Sequence, residues 1–522
     1  MEPYAARRGA ALGRRDAGAS AGREGETTAS DSLAARLTRR RLLGRIGSAL
    51  SAAAVTPLVA ACGGANLAPT PGPTTPPRAT AIPTAPPATP TATATATARP
   101  MPAAGATPTP RPRLAFWWWG EQEAPGLGAW VRESAALFEH ASGAQVAPML
   151  VDTEHLVSQF QGAAAAHAAP DVQSFWSGIY QMESVWLGYV APLDGLISGD
   201  LIRDCPASAL SVYGGRPYRL GWYAAPMLWV YNRELFDAAG LDPDKPPMTH
   251  DALLQACERL KRKEITPIVG GLQDGYWAEW HLAHALGANL DAPAELVELL
   301  LGARDWREPR YWDHWAKLGQ LGSAGFLNDD MLATDALTGV DLFSAGQGAM
   351  ASLPGPLLRR VQRQLGAERV WPMLFPASGA GRMNSRPVVD VQGLGIATES
   401  TQPRRAASFL SFLHTPERVA ALYDRSGQLP ADRSWDGRAI ADPALRYVWE
   451  RWVRGDSVPY LAGLLPPPFW SEGVVRVAQR VVAGEIGAQE AAEQAATAAR
   501  AWREQQPRLR ERYARWASDL AL

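Results

Sequence analysis

The sequence predicts an α/β protein of two domains, and three observations carry that prediction. About 410 residues follow a long Pro/Thr/Ala-rich stretch, more than one ordinary hydrophobic core organises. Within them, short β-like apolar runs alternate with amphipathic helical patterns, the signature of α/β layering. That alternation breaks in mid-chain, resumes after Val391 and gives way to helix from Pro443, so the chain is expected to cross between domains more than once.

The elements follow in order. Leu114-Ala115-Phe116-Trp117-Trp118-Trp119 reads as a buried first strand ended by Gly120. Trp130, Ser134, Leu137, Phe138 and Ala141 share one helical face. Residues 144–151 form the next strand, 156–166 a helix and 170–175 a third strand. A second section opens with the apolar run 227–232 and continues into helices such as 250–263. The expected division is 114–225 with 388–427 in one domain, and 226–387 with 428–522 in the other.

Ahead of these domains lie two segments that build no core. Residues 1–61 contain Thr38-Arg39-Arg40-Arg41-Leu42-Leu43-Gly44-Arg45, then an apolar stretch ending Leu58-Val59-Ala60-Ala61-Cys62. A basic cluster, a short apolar run and small residues before a cut describe an export signal, not a membrane span. The paired arginines resemble a twin-arginine signal and Val-Ala-Ala-Cys resembles a bacterial lipobox, which implies lipidation of Cys62. Residues 62–113, rich in Pro, Thr and Ala, read as an extended, disordered stalk. The expected location is the extracytoplasmic face of the cell membrane, with the lipid as the only membrane contact.

Charge narrows the partners. The chain carries 51 Lys+Arg and 52 Asp+Glu, but arginines concentrate before Cys62 and in the stalk, leaving the part from Leu114 acidic. Nucleic acid is thereby excluded as a partner, because phosphate binding needs a basic face. Nothing after residue 62 approaches the ~18 consecutive apolar residues of a membrane span. Of the three cysteines, Cys205 and Cys257 remain after Cys62; they could pair, or Cys257 could be a buried free thiol beside Leu253, Leu254 and Leu260.

Several short motifs in fixed order resemble a known family. They are Phe116-Trp117 in the first strand, Ala169-Pro170-Asp171-Val172, and Gly188-Tyr189-Val190-Ala191-Pro192-Leu193-Asp194. Next come Tyr231-Asn232-Arg233-Glu234-Leu235-Phe236 with Ala239-Gly240-Leu241, and Phe343-Ser344-Ala345-Gly346-Gln347-Gly348-Ala349-Met350 leading to Gly355-Pro356-Leu357. Phe409-Leu410-Ser411-Phe412-Leu413 and Gly427-Gln428-Leu429-Pro430 close the series. Over nearly all of residues 114–503 the chain is similar to the family 1 extracellular solute-binding proteins of ABC importers, the group of the maltose-binding protein. The resemblance implies the type II periplasmic-binding-protein fold, with two α/β lobes, a multi-strand hinge and a solute held between the lobes. It implies a permease of an ABC transporter as partner, a monomer, no cofactor and no enzymatic activity.

Twenty tryptophans make a carbohydrate the expected solute, since a sugar ring offers apolar C–H faces and a polar rim. Most of the twenty are needed as core, so position decides which contact ligand. The resemblance points to the loop after the first strand, with Trp118, Trp119 and Glu121 as candidates, and to Trp176 at the end of the third strand. Trp222 and Tyr223 precede the Tyr-Asn motif near a hinge crossing, and Trp277 and Trp280 open a predicted helix three residues apart. Gln392 and Gly393 match a backbone element close to ligand in relatives, and Trp470 opens a late helix as a sugar-stacking Trp does there. Two departures speak against maltose with the usual contacts: Leu357 replaces a family Trp, and Ala225 stands where a ligand-binding Glu occurs.

Other classes have less support. A lipid-anchored glycoside hydrolase would need two carboxylates ~5–9.5 Å apart, and no acid pair stands out in a catalytic-looking motif. A sensor or adhesin of the same fold would look alike in sequence. His281 and His284 have a zinc-compatible spacing, but no third ligand accompanies them and no metal is expected.

Overall fold

In the computed structural model residues 113–207 and 209–520 are described, and all of them fall in the unit Ala103–Leu522. Cys62, the export signal over 1–61 and the stalk residues before Arg113 lie outside the described residues. Among the described residues twelve strands follow one another: β1 (Arg113–Trp118), β2 (Gln145–Leu150), β3 (Val172–Phe175), β4 (Val190–Ala191), β5 (Val212–Tyr213), β6 (Arg216–Pro217), β7 (Leu220–Asn232), β8 (Met350–Pro354), β9 (Val370–Met373), β10 (Val388–Ala397), β11 (Leu429–Pro430) and β12 (Val458–Pro459). All except the β5–β6 hairpin join one sheet in the order β11-β7-β10-β3-β1-β2, with β4 and β12 on β10 and β8 and β9 on β7.

The first half of that sheet is built from parallel β-α-β units. β1 pairs in parallel with both β2 and β3. Between β1 and β2 runs the helix Leu127–Ser142, which buries Leu127, Trp130, Val131, Ser134, Ala135 and Phe138 along one face. It stops at Gly143, whose φ of 71° is the left-handed C-terminal cap that glycine adopts without strain. The helix Leu156–Ala165 makes the second crossover.

β7 and β10 then carry the chain between the two halves. β7 is buried at all thirteen positions. Its Leu220–Met227 part pairs with β10, while Met227–Asn232 pairs with β8 and β9. Pro226, which lacks an N–H, stands where the neighbour of β7 changes from β11 at Ala224 to β8 at Met227, so the chain changes sheet halves where the ladder is interrupted. β10 spans the same divide, pairing with β12 at Val388–Val389 and with β3 at Gly393–Ile396.

Tryptophan fills both cores. Trp130 and Trp222 pack with Phe116, Phe138 and Phe409 under the first half. Trp229, Trp277, Trp315, Trp449, Trp452 and Trp516 belong to the larger cluster. The last helix, Pro507–Asp519, sets Trp516 at 5.9 Å from Trp186, tying the C-terminal end to a helix that follows β3. Cys205 and Cys257 are both buried and unpaired. No helix of the described residues is long and apolar enough to cross a membrane.

Candidate functional site

A cavity of about 250 Å³ opens where the two halves of the sheet meet, near the lower end of the ~300–1,000 Å³ typical of small-molecule sites. Trp119 and Glu123 enter from the loop after β1, and Trp176 and Ser177 from the end of β3. These are the carboxyl ends of parallel strands, where ligand contacts collect in α/β sheets. The crossing strands supply Ala225, Met227, Asp390 and Gln392. Opposite stand Asp274 and Tyr276, Glu279 and Trp280 on the helix Tyr276–Ala285, and Tyr460.

Local packing fixes the aromatic wall. The Trp119 indole N–H donates to Thr153 Oγ1 at 2.8 Å. Trp176 meets Trp119 edge-on, with ring centroids 5.3 Å apart at 86°, and Tyr180 at 5.5 Å and 87°. Each ring is therefore held by its neighbour in a favourable edge-to-face contact. Behind the wall Gly178 has φ 72°, and a Cβ there would lie 1.9 Å from the Gly463 carbonyl, so only glycine lets these two loops touch beside the cavity.

The polar lining is acidic. Glu123, Asp274, Glu279 and Asp390 face the cavity, and its lining includes no Lys, Arg or His. Glu279 accepts the Tyr460 hydroxyl at Oε1 (2.5 Å), while Oε2 has no protein partner. The Trp470 N–H faces this carboxyl without completing a hydrogen bond of normal geometry. Burial pushes Glu279 up to about 7, against the opposing effect of the Tyr460 bond. Asp390 Oδ2 receives a long bond from Gln392 Nε2 at 3.5 Å, the Ser177 hydroxyl and the Val391 N–H stand close to the carboxyl, and its Oδ1 completes no hydrogen bond of normal geometry. Burial raises Asp390 too, with Arg219 and the Ser177 hydroxyl acting against it. Glu123 keeps some surface open to the cavity yet is otherwise crowded by protein; burial, then Asp390, lifts it to about 8. Burial likewise raises Asp274, which accepts from the Tyr276 and Ala336 backbone N–H groups.

The structure brings four of the candidates read from sequence into this lining: Trp119, Trp176, Trp280 and Gln392. The others stand elsewhere. Trp118 is buried beneath the first long helix, against Gly128. Glu121 is occupied in capping that helix, accepting from Gly126 N (3.1 Å) and Gly128 N (2.5 Å). Trp222 packs 5.8 Å from Trp130 in the core, and Trp277 stacks on His281 at 4.9 Å and 9°. Tyr223 is fully buried next to the lining, its hydroxyl beneath Gly120. Gly393 lies over Arg219, and Trp470 packs 6.0 Å from Tyr276. Ala225, where the family's Glu is missing, does line the cavity. Glu123, Asp274, Glu279, Asp390, Tyr180 and Tyr460 were not singled out in sequence. One signal was present: Asp390 is the lone acid in the apolar strand Val388-Val389-Asp390-Val391.

Among the described residues one group of three metal-type ligands converges: Cys205, His414 and Asp432, away from the cavity. Cys205 Sγ (3.2 Å) and Asp432 Oδ1 (2.9 Å) both approach His414 Nδ1, and Cys205 also bonds Asp432 at 3.2 Å. A nucleophilic triad would use the two ring nitrogens separately. Here one nitrogen serves both partners, and the cluster is a buried polar tie. His281 and His284 are buried against Phe375 and held neutral, burial lowering them to about 4 and about 3.

The model of the bacterial extracellular solute-binding protein family matches residues 133–443, more than half of the chain. The sn-glycerol-3-phosphate-binding periplasmic proteins UgpB of Brucella abortus (strain 2308) and Rhizobium meliloti (strain 1021) are 25% and 24% identical over 211 residues, which make up 40% of this chain and 47% of theirs. The chain thus spans about half the length of the curated relatives it matches. Among solved structures, a chitin oligosaccharide binding protein superposes with a TM-score of 0.65 at 20% identity, covering 75% of this chain and 98% of its own. The GacH receptor of Streptomyces glaucescens GLA.O, solved unliganded and with acarbose, gives 0.62 at 18% identity over 76% and 98%. These likenesses show a shared two-lobed fold. The chain belongs to the bacterial extracellular solute-binding protein family.

Proposed function

We propose that the protein is the lipid-anchored substrate-binding component of an ABC importer. It takes up a carbohydrate in the cavity between its lobes and delivers it to the permease. The lobes comprise 114–225 with 388–427, and 226–387 with 428–522. The observation that carries the reading is the lining itself, with the flat rings of Trp119, Trp176, Tyr180 and Trp280 beside unpartnered carboxylate oxygens. Rings suit the C–H faces of a sugar and the oxygens accept from its hydroxyls. The names of the relatives in chitin oligosaccharide and acarbose binding support it. A phosphate ester, as in the UgpB name, suits the lining less, since four carboxylates face the cavity with no basic side chain among them. Tethering at Cys62 through the 62–113 stalk keeps the binding lobes near the permease at high effective concentration.

Calorimetry and thermal-shift screening against mono- and oligosaccharides test this. A sugar that binds should lose at least about tenfold in affinity on Trp176→Ala, the scale of a lost aromatic contact. Binding by no carbohydrate, or release of reducing sugar with turnover, would sink it. Cys62→Ser tests the anchor separately, by moving the protein from the membrane fraction to the medium.

A further inference from the structure

We infer that the solute carries a protonated amine, seated against Asp390 and Glu279, so that the sugar recognised is an amino sugar. This rests on the carbohydrate reading and specifies its chemistry. Every charged side chain lining the cavity is a carboxylate, four of them in all. Arg219 acts on Asp390 through its charge, but its hydrogen bonds go elsewhere, to Phe175 O (3.0 Å), Ser211 Oγ (3.0 Å) and Ala207 O (2.5 Å), and it is not among the residues that line the cavity.

Two of the acids are more than nine-tenths buried and unfinished. Asp390 is 5% exposed and Glu279 6%. Asp390 Oδ1 and Glu279 Oε2 complete no hydrogen bond of normal geometry within the protein, although Ser177 and Trp470 stand beside the two carboxyls. Hydroxyls could donate to those atoms, but a neutral sugar brings no charge to balance the carboxylates that ionise and leaves the others holding their protons, and burying charge without a counter-charge is costly. An ammonium offers three donors, no acceptor and the missing charge. The Trp119, Trp176 and Trp280 rings nearby add faces that attract cations as well as C–H groups. The raised carboxyls support the same conclusion, because an arriving cation would favour their ionised forms and expel the protons that burial retains.

The test is titration calorimetry of the full chain with matched probes: glucosamine, N-acetylglucosamine and glucose, then the fully deacetylated chitin disaccharide, its diacetyl form and cellobiose. Spermidine and choline serve as amines without a sugar ring. The amine-bearing sugar of a set should bind at least about tenfold tighter than its acetylated and neutral counterparts. That preference should collapse in both Asp390→Asn and Glu279→Gln, and titrations in two buffers of different ionisation heat should show proton release near pH 7. If one variant fails to fold, the wild-type ratio and the proton count still decide. Equal or tighter binding of the neutral sugars overturns the amine and leaves the carbohydrate reading intact. Binding of spermidine or choline and of no sugar overturns the carbohydrate and leaves the cation. Failure of every amine probe to bind at millimolar concentration overturns the inference.

Discussion

Glu279 makes stability depend on pH in a direction opposite to that of most acids. Its folded pKa, about 7, and that of Glu123, about 8, lie above the ordinary carboxyl value of 4.5. Between 4.5 and those values the folded protein holds protons that the unfolded chain has lost, so stability falls as pH rises through the window. Below 6.5 the buried imidazoles of His281, His284 and His314 oppose this, since burial holds them neutral while the unfolded chain takes up protons. Over the interval from pH 6.5 to 8 the unfolded imidazoles give up their last protons, and the carboxyls outweigh them. Unfolding by urea should show a net loss of about 1 kcal/mol across it, and Glu279→Gln should flatten the slope; a wild-type stability that is level or rising there would refute the assignment. Side chains of this kind were hard to find in sequence because Asp and Glu number 52 and one carboxylate looks like another. Tryptophan was easier, at 20, but Trp222 and Trp277 show the limit: the ring that suits a sugar also fills a core.

At the scale of elements, β10 sets the geometry of the site through one irregularity. The pairing of β10 with β7 shifts between Gln392 and Gly393, leaving Trp222 as an extra residue on β7. Gln392 then faces the cavity while Gly393 lies over Arg219. A Cβ at Gly393 would sit 2.4 Å from Arg219 Cγ and 2.6 Å from the Leu220 carbonyl, and backbone cannot yield as a side chain can. Gly393→Ala should cost about 1–3 kcal/mol and weaken solute binding, because relief requires β10 to move at the bulge. Unchanged denaturation and affinity would show that the bulge is not constrained there. The sequence made the local elements legible: the β-α-β opening and the helices at 156–165 and 250–262 follow their periodicities closely. It showed only the second half of β7. Gly221 and Pro226 break the apolar run, and the first half is a strand because β10, far along the chain, pairs with it.

The whole molecule couples binding to shape only if the solute touches both lobes. Trp176 follows β3 in the first half of the fold, and Trp280 stands on the helix Tyr276–Ala285 in the second, yet both line one cavity. A solute held between them adds contacts in the closed form that an open form cannot make, and that difference alone shifts the population. Two readouts should then move together. Solute at 100 times its Kd should stabilise the fold by about 2.7 kcal/mol, and small-angle scattering should show a smaller radius of gyration. Trp176→Ala and Trp280→Ala remove a contact from opposite sides, so each should weaken binding and reduce the compaction at equal solute. Stabilisation without compaction would mean that the solute is held by one lobe, and closure would then have to be driven by the permease instead.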